Sequence, residues 1–410
     1  MKIGFLCAHF APEFEGGSER VARALARGLM ARGHSVVIAA GTQEVFDGRE
    51  ILREERDGLE VLRFPRTKEE RFDLELARPR IEALIGSALA GCDLIHVHHW
   101  ATLSQRLVRS LGAARPVVVT LHDMFATCPR FFRVSPLSLT CPPRGAFATC
   151  ARCIATEAGG ASLPDLEEGL GQRARNFEQE LRAAARWIAP SESHAERIAA
   201  LIALDPARKA VIAPGLTRTL RPRPRAARDP GQPLRVLHFG NLCAEKGTLD
   251  LVNAMSRMPE GSATLCLAGS ALTAAFLGEV ERARGSCPVF VAGPYDGEQL
   301  SRLAAQADLA AFPSRVRESY GLVLDEAHAL GLPTWVSDRG ALGDRLVAGE
   351  RALPAEQPEV WAHALTELVR DSSPLEVARR RLAVSAVPTV EDSVEAHERL
   401  YEALFAGARP

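Results

Sequence analysis

Short apolar runs bounded by glycine, proline or polar residues alternate along this chain with stretches in which apolar residues return at helical spacing. The run Lys2–Cys7 is followed by a helix pattern from about Ser18 to Ala31, with Val21, Leu25 and Leu29 on one face, and then by the strand pattern Val36–Ala40. Strand patterns recur at Leu59–Phe64, in Asp93–Trp100, from Pro116 and at Trp187–Ala189, with helix patterns at Ile81–Leu89, at Asp165–Ala185 and after a cap at Ser191 or Ser193. A last strand, Lys209–Ala213, ends this series. Residues 214–233 carry five prolines and five arginines without an apolar period and read as a linker. The alternation resumes at Leu234 and runs through strand patterns at Thr264–Ala268, Val289–Ala292 and Leu309–Phe312, with helices near Pro358 and Thr389 closing the chain. Strand and helix in alternation predict an α/β protein: two Rossmann-like, doubly wound domains over residues 1–213 and 234–390, and a final helix over 391–410.

The most informative stretch runs from Phe312 to Ser337. Ala310–Phe312 ends a buried strand, Glu318-Ser-Tyr-Gly321 forms a turn, and Leu322, Val323, Ala327 and Leu330 mark a helix that Gly331-Leu-Pro333 stops. Backbone N–H groups at the start of that helix, near Ser319 to Val323, can receive a phosphate. Glu318 and Glu326 bracket the site, about 12 Å apart if the rise is helical throughout. That is too far for a shared-proton pair and suits two ends of one long ligand. On charge placement alone, Glu326 reads as an exposed helix residue and Glu318 as a first-turn acid favoured by the helix dipole.

Lysine use adds a second clue. The chain has four lysines against 46 arginines, and Lys246 is the sole lysine after residue 233. It stands after the strand ending Phe239-Gly240-Asn241 and before a helix, where a compact point charge suits a phosphate. At the other end of the chain, Gly16-Gly17 precedes a helix that Ser18 can cap, and the pair lets backbone approach a ligand closely. It departs from the Gly-x-Gly-x-x-Gly fingerprint, which argues against a dehydrogenase. His96, His98 and His99 close one strand without further metal-ligand spacing, and His122-Asp123 close the next.

Cys128, Cys141, Cys150 and Cys153 follow at spacing C-x12-C-x8-C-x2-C, in a Pro/Arg/aromatic-rich segment (124–160) with no strong period. Four thiolates in an irregular loop fit a tetrahedral structural zinc site. An iron or iron–sulfur site, two disulfides and four unlinked thiols are the other readings.

The segment Glu318–Glu326 followed by Ala-His-Ala-Leu-Gly-Leu-Pro333 resembles the Glu-x7-Glu signature of the family 4 retaining glycosyltransferases, and the likeness extends over nearly the full length. It implies the GT-B fold, two Rossmann-like domains facing a cleft, with the last helix crossing back to the first domain. It further implies that the second domain binds a nucleoside-diphosphate sugar, a UDP- or GDP-sugar, and the first a glycan, glycolipid or small-molecule acceptor. Glu318 would bind the sugar hydroxyls, Glu326 the ribose, Lys246 the diphosphate, and Tyr295 would lie beside the nucleobase. Gly16, Gly17, Ser319, Tyr320, Gly321 and Leu322 would complete the donor site, and His122 would contact the transferred sugar. The family places an arginine where this chain has Asn241, so Arg315 or Arg317 would have to supply the second cation. No catalytic metal is implied. The rival from another class is a non-catalytic sugar-nucleotide or partner-binding module of the same fold.

Composition changes this picture little. With 410 residues, 47% hydrophobic and 25% charged, the chain can build two cores. A net charge of −1 implies no nucleic-acid partner. Residues 1–233 carry 33 Lys+Arg against 27 Asp+Glu, an excess that solvated surface accounts for and that leaves peripheral membrane association open. Neither a signal segment nor an apolar run near ~20 residues occurs, and nine cysteines suit a reducing compartment, so the expectation is a cytoplasmic protein.

Overall fold

In the computed structural model, which describes every residue except 15, 67–71, 73, 75, 76, 138, 139, 226, 227, 230, 272 and 407–410, the apolar runs form two separate sheets. The chain divides into one unit of Met1–Thr217 with Thr389–Pro410 and another of Arg218–Pro388.

The first unit runs β1 (Lys2–Cys7), α1 (Gly17–Ala31), β2 (Ser35–Thr42), β3 (Leu52–Arg56), β4 (Leu59–Pro65), α2 (Pro79–Ala88), β5 (Leu94–Val97), α3 (Leu107–Gly112), β6 (Val117–Thr120), α4 (Phe147–Ile154), α5 (Leu163–Ala183), β7 (Arg186–Ala189), α6 (Glu192–Leu201) and β8 (Lys209–Val211). Its sheet is ordered β3-β4-β2-β1-β5-β6-β7-β8, and only β3 is antiparallel to its neighbour. Side chains alternate across the sheet, so Leu6, Ile95 and Val119 enter one core while Phe5, Leu94 and Val118 enter the other. Both faces must be covered, which is why these strands read as unbroken apolar runs. Strand β3, Leu-Arg-Glu-Glu-Arg, has no such run and escaped the sequence reading; as an edge strand it needs none.

The second unit runs β9 (Leu234–Phe239), α7 (Thr248–Met255), β10 (Ala263–Ala268), α8 (Ala274–Ala283), β11 (Val289–Gly293), α9 (Gly297–Ala305), β12 (Leu309–Phe312), α10 (Leu322–Ala329), β13 (Thr334–Ser337), β14 (Arg351–Leu353), α11 (Pro358–Arg370) and α12 (Ser373–Leu382). All its strands are parallel, in the order β11-β10-β9-β12-β13-β14. The chain steps outward from β9 to β11 and then returns to β9's other side, so the strand order reverses between β9 and β12. Ligands of open α/β sheets bind beyond the carboxyl ends of the strands at such a reversal.

Two stretches differ from the sequence reading. Residues expected to be linker pack on the second unit: the Arg221 N–H donates to Ser301 Oγ at 3.1 Å and Arg225 to the Gly331 carbonyl at 3.0 Å. Part of that stretch (226, 227, 230) and of the cysteine segment (138, 139) lies outside the described residues. The cysteine segment is not wholly irregular, since α4 carries Cys150 and Cys153.

The last helix, α13 (Val390–Ala406), belongs to the first unit, with Val394 and Tyr401 buried in the same core as Phe5 and Ile38. A Cβ at Gly28 of α1 would lie 2.3 Å from Val394 Cγ2, so glycine lets the two helices approach. Tyr401 Oη lies 2.6 Å from His96 Nδ1, and His96 Nε2 lies 2.7 Å from Thr120 Oγ1, a buried chain from α13 through β5 to β6. Tyr401→Phe is expected to leave His96 Nδ1 without its partner and to cost about 1–3 kcal/mol. Urea unfolding of the first unit measures this; an unchanged midpoint would contradict it.

Candidate functional site

Two loops at the strand-order reversal of the second unit build the candidate site, and their backbones touch. Gly247 (φ +73°) follows Lys246, and a Cβ there would stand 1.9 Å from the Pro313 carbonyl oxygen. The N–H groups of Arg315 and Val316 donate to the Glu245 carbonyl at 2.9 and 3.2 Å. This docking brings Lys246 Nζ to 2.7 Å from Glu318 Oε1, which also accepts from Ser314 Oγ at 3.1 Å. The pair keeps 26% and 14% of its side-chain surface, enough to meet a ligand while desolvated on one side.

Glu318 stands before the helix, not in it. It bridges to Gly340 (φ +73°), where a Cβ would lie 2.4 Å from the Glu318 nitrogen. Gly321 (φ +83°) is the N-cap of α10, so the stretch from Glu318 to Glu326 is not one helical run and the spacing inferred from helical rise does not apply. The turn is locked beneath: Tyr320 Oη donates to Asp325 Oδ2 at 2.7 Å, and Arg345 lies over the Tyr320 ring while bonding Asp325 and the Tyr320 carbonyl. Ser319 precedes this turn, and Leu322 and Val323 open the helix, whose first N–H groups have no intrahelical acceptor.

Glu326 is 1% exposed, which corrects the exposed-helix reading. Its Oε1 accepts from Arg218 Nε at 2.9 Å, and Arg218 lies 4.9 Å over the Tyr295 ring. Arg218 was missed because it falls in the arginine-rich stretch read as linker; only the charge on Glu326 called for a partner. Arg315 does not replace the cation absent at Asn241, because it clamps Asp250 at 2.7 and 2.6 Å. Asn241 and Arg317 are exposed. Arg317 has no ion-pair partner among the described residues.

In the first unit, Gly16 caps α1, displacing Ser18 from that role; its N–H donates to Glu19 Oε2 at 3.0 Å, and Gly17 opens the helix. His122 Nε2 lies 3.0 Å from His98 Nδ1, with the rings stacked at 5.3 Å. Burial pushes His122 down to about 3. Burial raises the Asp123 carboxyl, but the charge and hydrogen bond of His99, at 3.3 Å, with the Phe125 N–H, outweigh it and leave the group below its usual range.

The four cysteines border one cavity, and Cys150 feels the charges of Cys128, Cys141 and Cys153. The Cys141 thiol donates to the Arg133 carbonyl at 3.0 Å and the Cys153 thiol to Ser135 Oγ at 3.3 Å, while Cys128 Sγ accepts from the Arg130 N–H at 3.4 Å. Burial pushes the Cys150 thiol up to about 11 and raises Cys128 as well. All four are unbridged. Among the described residues no group of three or more His, Cys, Asp or Glu side chains is arranged to hold a metal, so the zinc or iron expectation is not supported.

Two Rossmann-like α/β units, each with site residues at the carboxyl edge of its sheet, define the GT-B fold. The sequence profile of Glycosyltransferase Family 4 matches residues 15–219, and that of Glycosyl transferases group 1 matches residues 233–371. The chain belongs to glycosyltransferase family 4 and is a glycosyltransferase. Among its relatives is a D-inositol 3-phosphate glycosyltransferase of Xylanimonas cellulosilytica, 24% identical, with 94% of this chain and 91% of the relative covered. Among solved structures, sucrose-phosphate synthase from Thermosynechococcus elongatus superposes with TM-score 0.72 at 20% identity, covering 99% of both chains. Anabaena HepE in complex with UDP and glucose gives TM-score 0.63 at 19% identity, covering 99% of this chain and 100% of that one. No helix among the described residues is long and apolar enough to cross a membrane.

The buried histidines generate a pH dependence. Burial lowers His96 and His98 well below their usual value, His122 to about 3, and His194 and His397 to about 4. Unfolded, each titrates at about 6.5, so below that pH the unfolded chain takes up protons that the folded unit refuses. Stability is full above pH ~6.5 and declines as pH falls toward ~4, by up to about 1.4 kcal/mol per pH unit for each histidine. Scanning calorimetry is expected to show the first unit's transition falling between pH 7 and pH 5; a flat profile would contradict the buried, neutral cluster.

Proposed function

We propose that this glycosyltransferase transfers a sugar with retention from a nucleoside-diphosphate sugar, a UDP- or GDP-sugar, to a glycan, glycolipid or small-molecule acceptor. The Lys246–Glu318 pair at the strand-order reversal, beside the start of α10, carries the reading. Lysine and helix N-terminus supply positive potential for a leaving diphosphate, with Arg317 as the exposed second cation and no divalent ion required. Glu318, held by Lys246 and Ser314, takes the sugar hydroxyls. Glu326, oriented by Arg218, takes the ribose, and Tyr295 borders the base.

The bond from the anomeric carbon to the diphosphate oxygen breaks, and the acceptor oxygen bonds that carbon on the same face. The acceptor's proton passes to the departing diphosphate. A neutral His122 contacts the transferred sugar by hydrogen bonding. The UDP and glucose in the HepE structure support a uridine donor, and the D-inositol 3-phosphate glycosyltransferase supports a small phosphorylated acceptor. The non-catalytic reading draws on Asn241 and on the engagement of Arg315 by Asp250.

Thermal shift against UDP, GDP, ADP and dTDP identifies the donor base, since the preferred nucleotide stabilises by mass action. Glu326→Ala is expected to weaken that nucleotide by calorimetry, whereas Glu318→Ala leaves its affinity nearly unchanged and slows release from the sugar donor. Equal losses of affinity in both variants would sink this division. Lys246→Ala should slow turnover more than Lys246→Arg, by about 10²-fold or more. A Lys246→Ala rate near that of the parent would remove the lysine from the mechanism.

A further inference from the structure

A cavity of about 240 Å³ lies wholly within the first unit, between the loop after Ala126, α4, the middle of α5 and Leu201–Ile202. Neither His122 nor any residue assigned above to the donor lines it. Five arginines border it, Arg130, Arg133, Arg144, Arg173 and Arg175, against a single carboxylate, Glu178. Two of these are matched, Arg130 by Glu157 and Arg144 by Glu178. Among the described residues no carboxylate lies within ion-pair distance of the other three.

Arg133 donates to the Pro142 carbonyl at 2.6 Å and Arg175 to Gln172 Oε1 at 2.9 Å. Arg173 is the exceptional one. It is 2% exposed, donates to the Phe125 carbonyl and lies 5.0 and 4.4 Å over the rings of Phe125 and Phe177. Its buried Nε has no hydrogen-bond partner. A buried cation without an anion is costly, and ring faces offset only part of that cost. Phe147, Ile154 and Leu170 supply an apolar wall on the same cavity.

We propose that this cavity is a second ligand site that binds an amphipathic phosphate ester, its phosphate on Arg133, Arg173 and Arg175 and its apolar part on Phe147, Ile154 and Leu170. A phosphate dianion answers the three unmatched charges, and guanidinium groups bind its oxygens through paired N–H donors. The apolar wall distinguishes an ester with a hydrocarbon portion from free phosphate.

The test titrates the whole chain with hexyl phosphate, inorganic phosphate and hexanol by calorimetry, with and without saturating UDP. Saturable one-to-one binding of hexyl phosphate is expected, about tenfold tighter than inorganic phosphate, with none for hexanol. Arg133→Gln combined with Arg175→Gln, both outside the core, should weaken it about tenfold or more at an unchanged melting temperature. Arg173→Lys should weaken it as well. Four results would each overturn the proposal: no saturation by hexyl phosphate, affinity unchanged in the Arg133/Arg175 variant, equal affinity for inorganic phosphate, or displacement by UDP. An equivalent of zinc or iron in the purified protein would also overturn it, because the arginines would then face metal-bound thiolates.

Discussion

Two loops of the second unit approach so closely that no side chain fits between their backbones, and the site residues depend on that contact. Gly247 leaves room for the Pro313 carbonyl, and from a third loop, after β13, Gly340 leaves room for the backbone of Glu318. Both glycines have positive φ, so a larger residue would be strained as well as crowded. With the loops docked, Lys246 and Glu318 meet at 2.7 Å although 72 residues separate them. Neither strand nor helix alone would bring them together. The parallel sheet supplies the remaining constraint by delivering the ends of β9 and β12 side by side.

Charge is compensated around that frame mostly by arginine. Asp250 is clamped by Arg315, Asp325 by Arg345, Glu326 by Arg218 and Asp308 by Arg235. Each acid is buried, and an unpaired buried carboxylate would be expensive, so the arginines orient groups that would otherwise be protonated or displaced. Lys246, the sole lysine after residue 233, instead meets Glu318, and both side chains stay partly exposed. Arg173 inverts the pattern, a buried cation in search of an anion.

Much of this was legible in the chain because strand and helix periods are local. The alternation of apolar runs predicted both sheets, and the lone lysine and the Glu318–Glu326 segment marked the loops that meet. What escaped was non-local. The charged edge strand β3 has no apolar signature, and Arg218 belongs to the site only because a proline-rich stretch packs against α9 and α10. The capping of α1 was misread because Ser18 is a good cap by type, whereas Glu19 reaches back to the Gly16 N–H. The four cysteines suggested metal by spacing, yet spacing cannot show that the Cys141 thiol engages the Arg133 carbonyl and the Cys153 thiol engages Ser135. The burial of Glu326 against Arg218 is likewise something the period of α10 does not encode.

In the mechanism we propose, the second unit's ion pair and helix start serve departure of a diphosphate from a sugar that keeps its anomeric configuration. Proton NMR of the sugar released from the preferred nucleotide donor tests it most directly, read before the anomers equilibrate. The first-formed product is expected to keep the donor's configuration, and its appearance to depend on Lys246. An inverted first product, or no release from any of the four nucleotide classes, would contradict it.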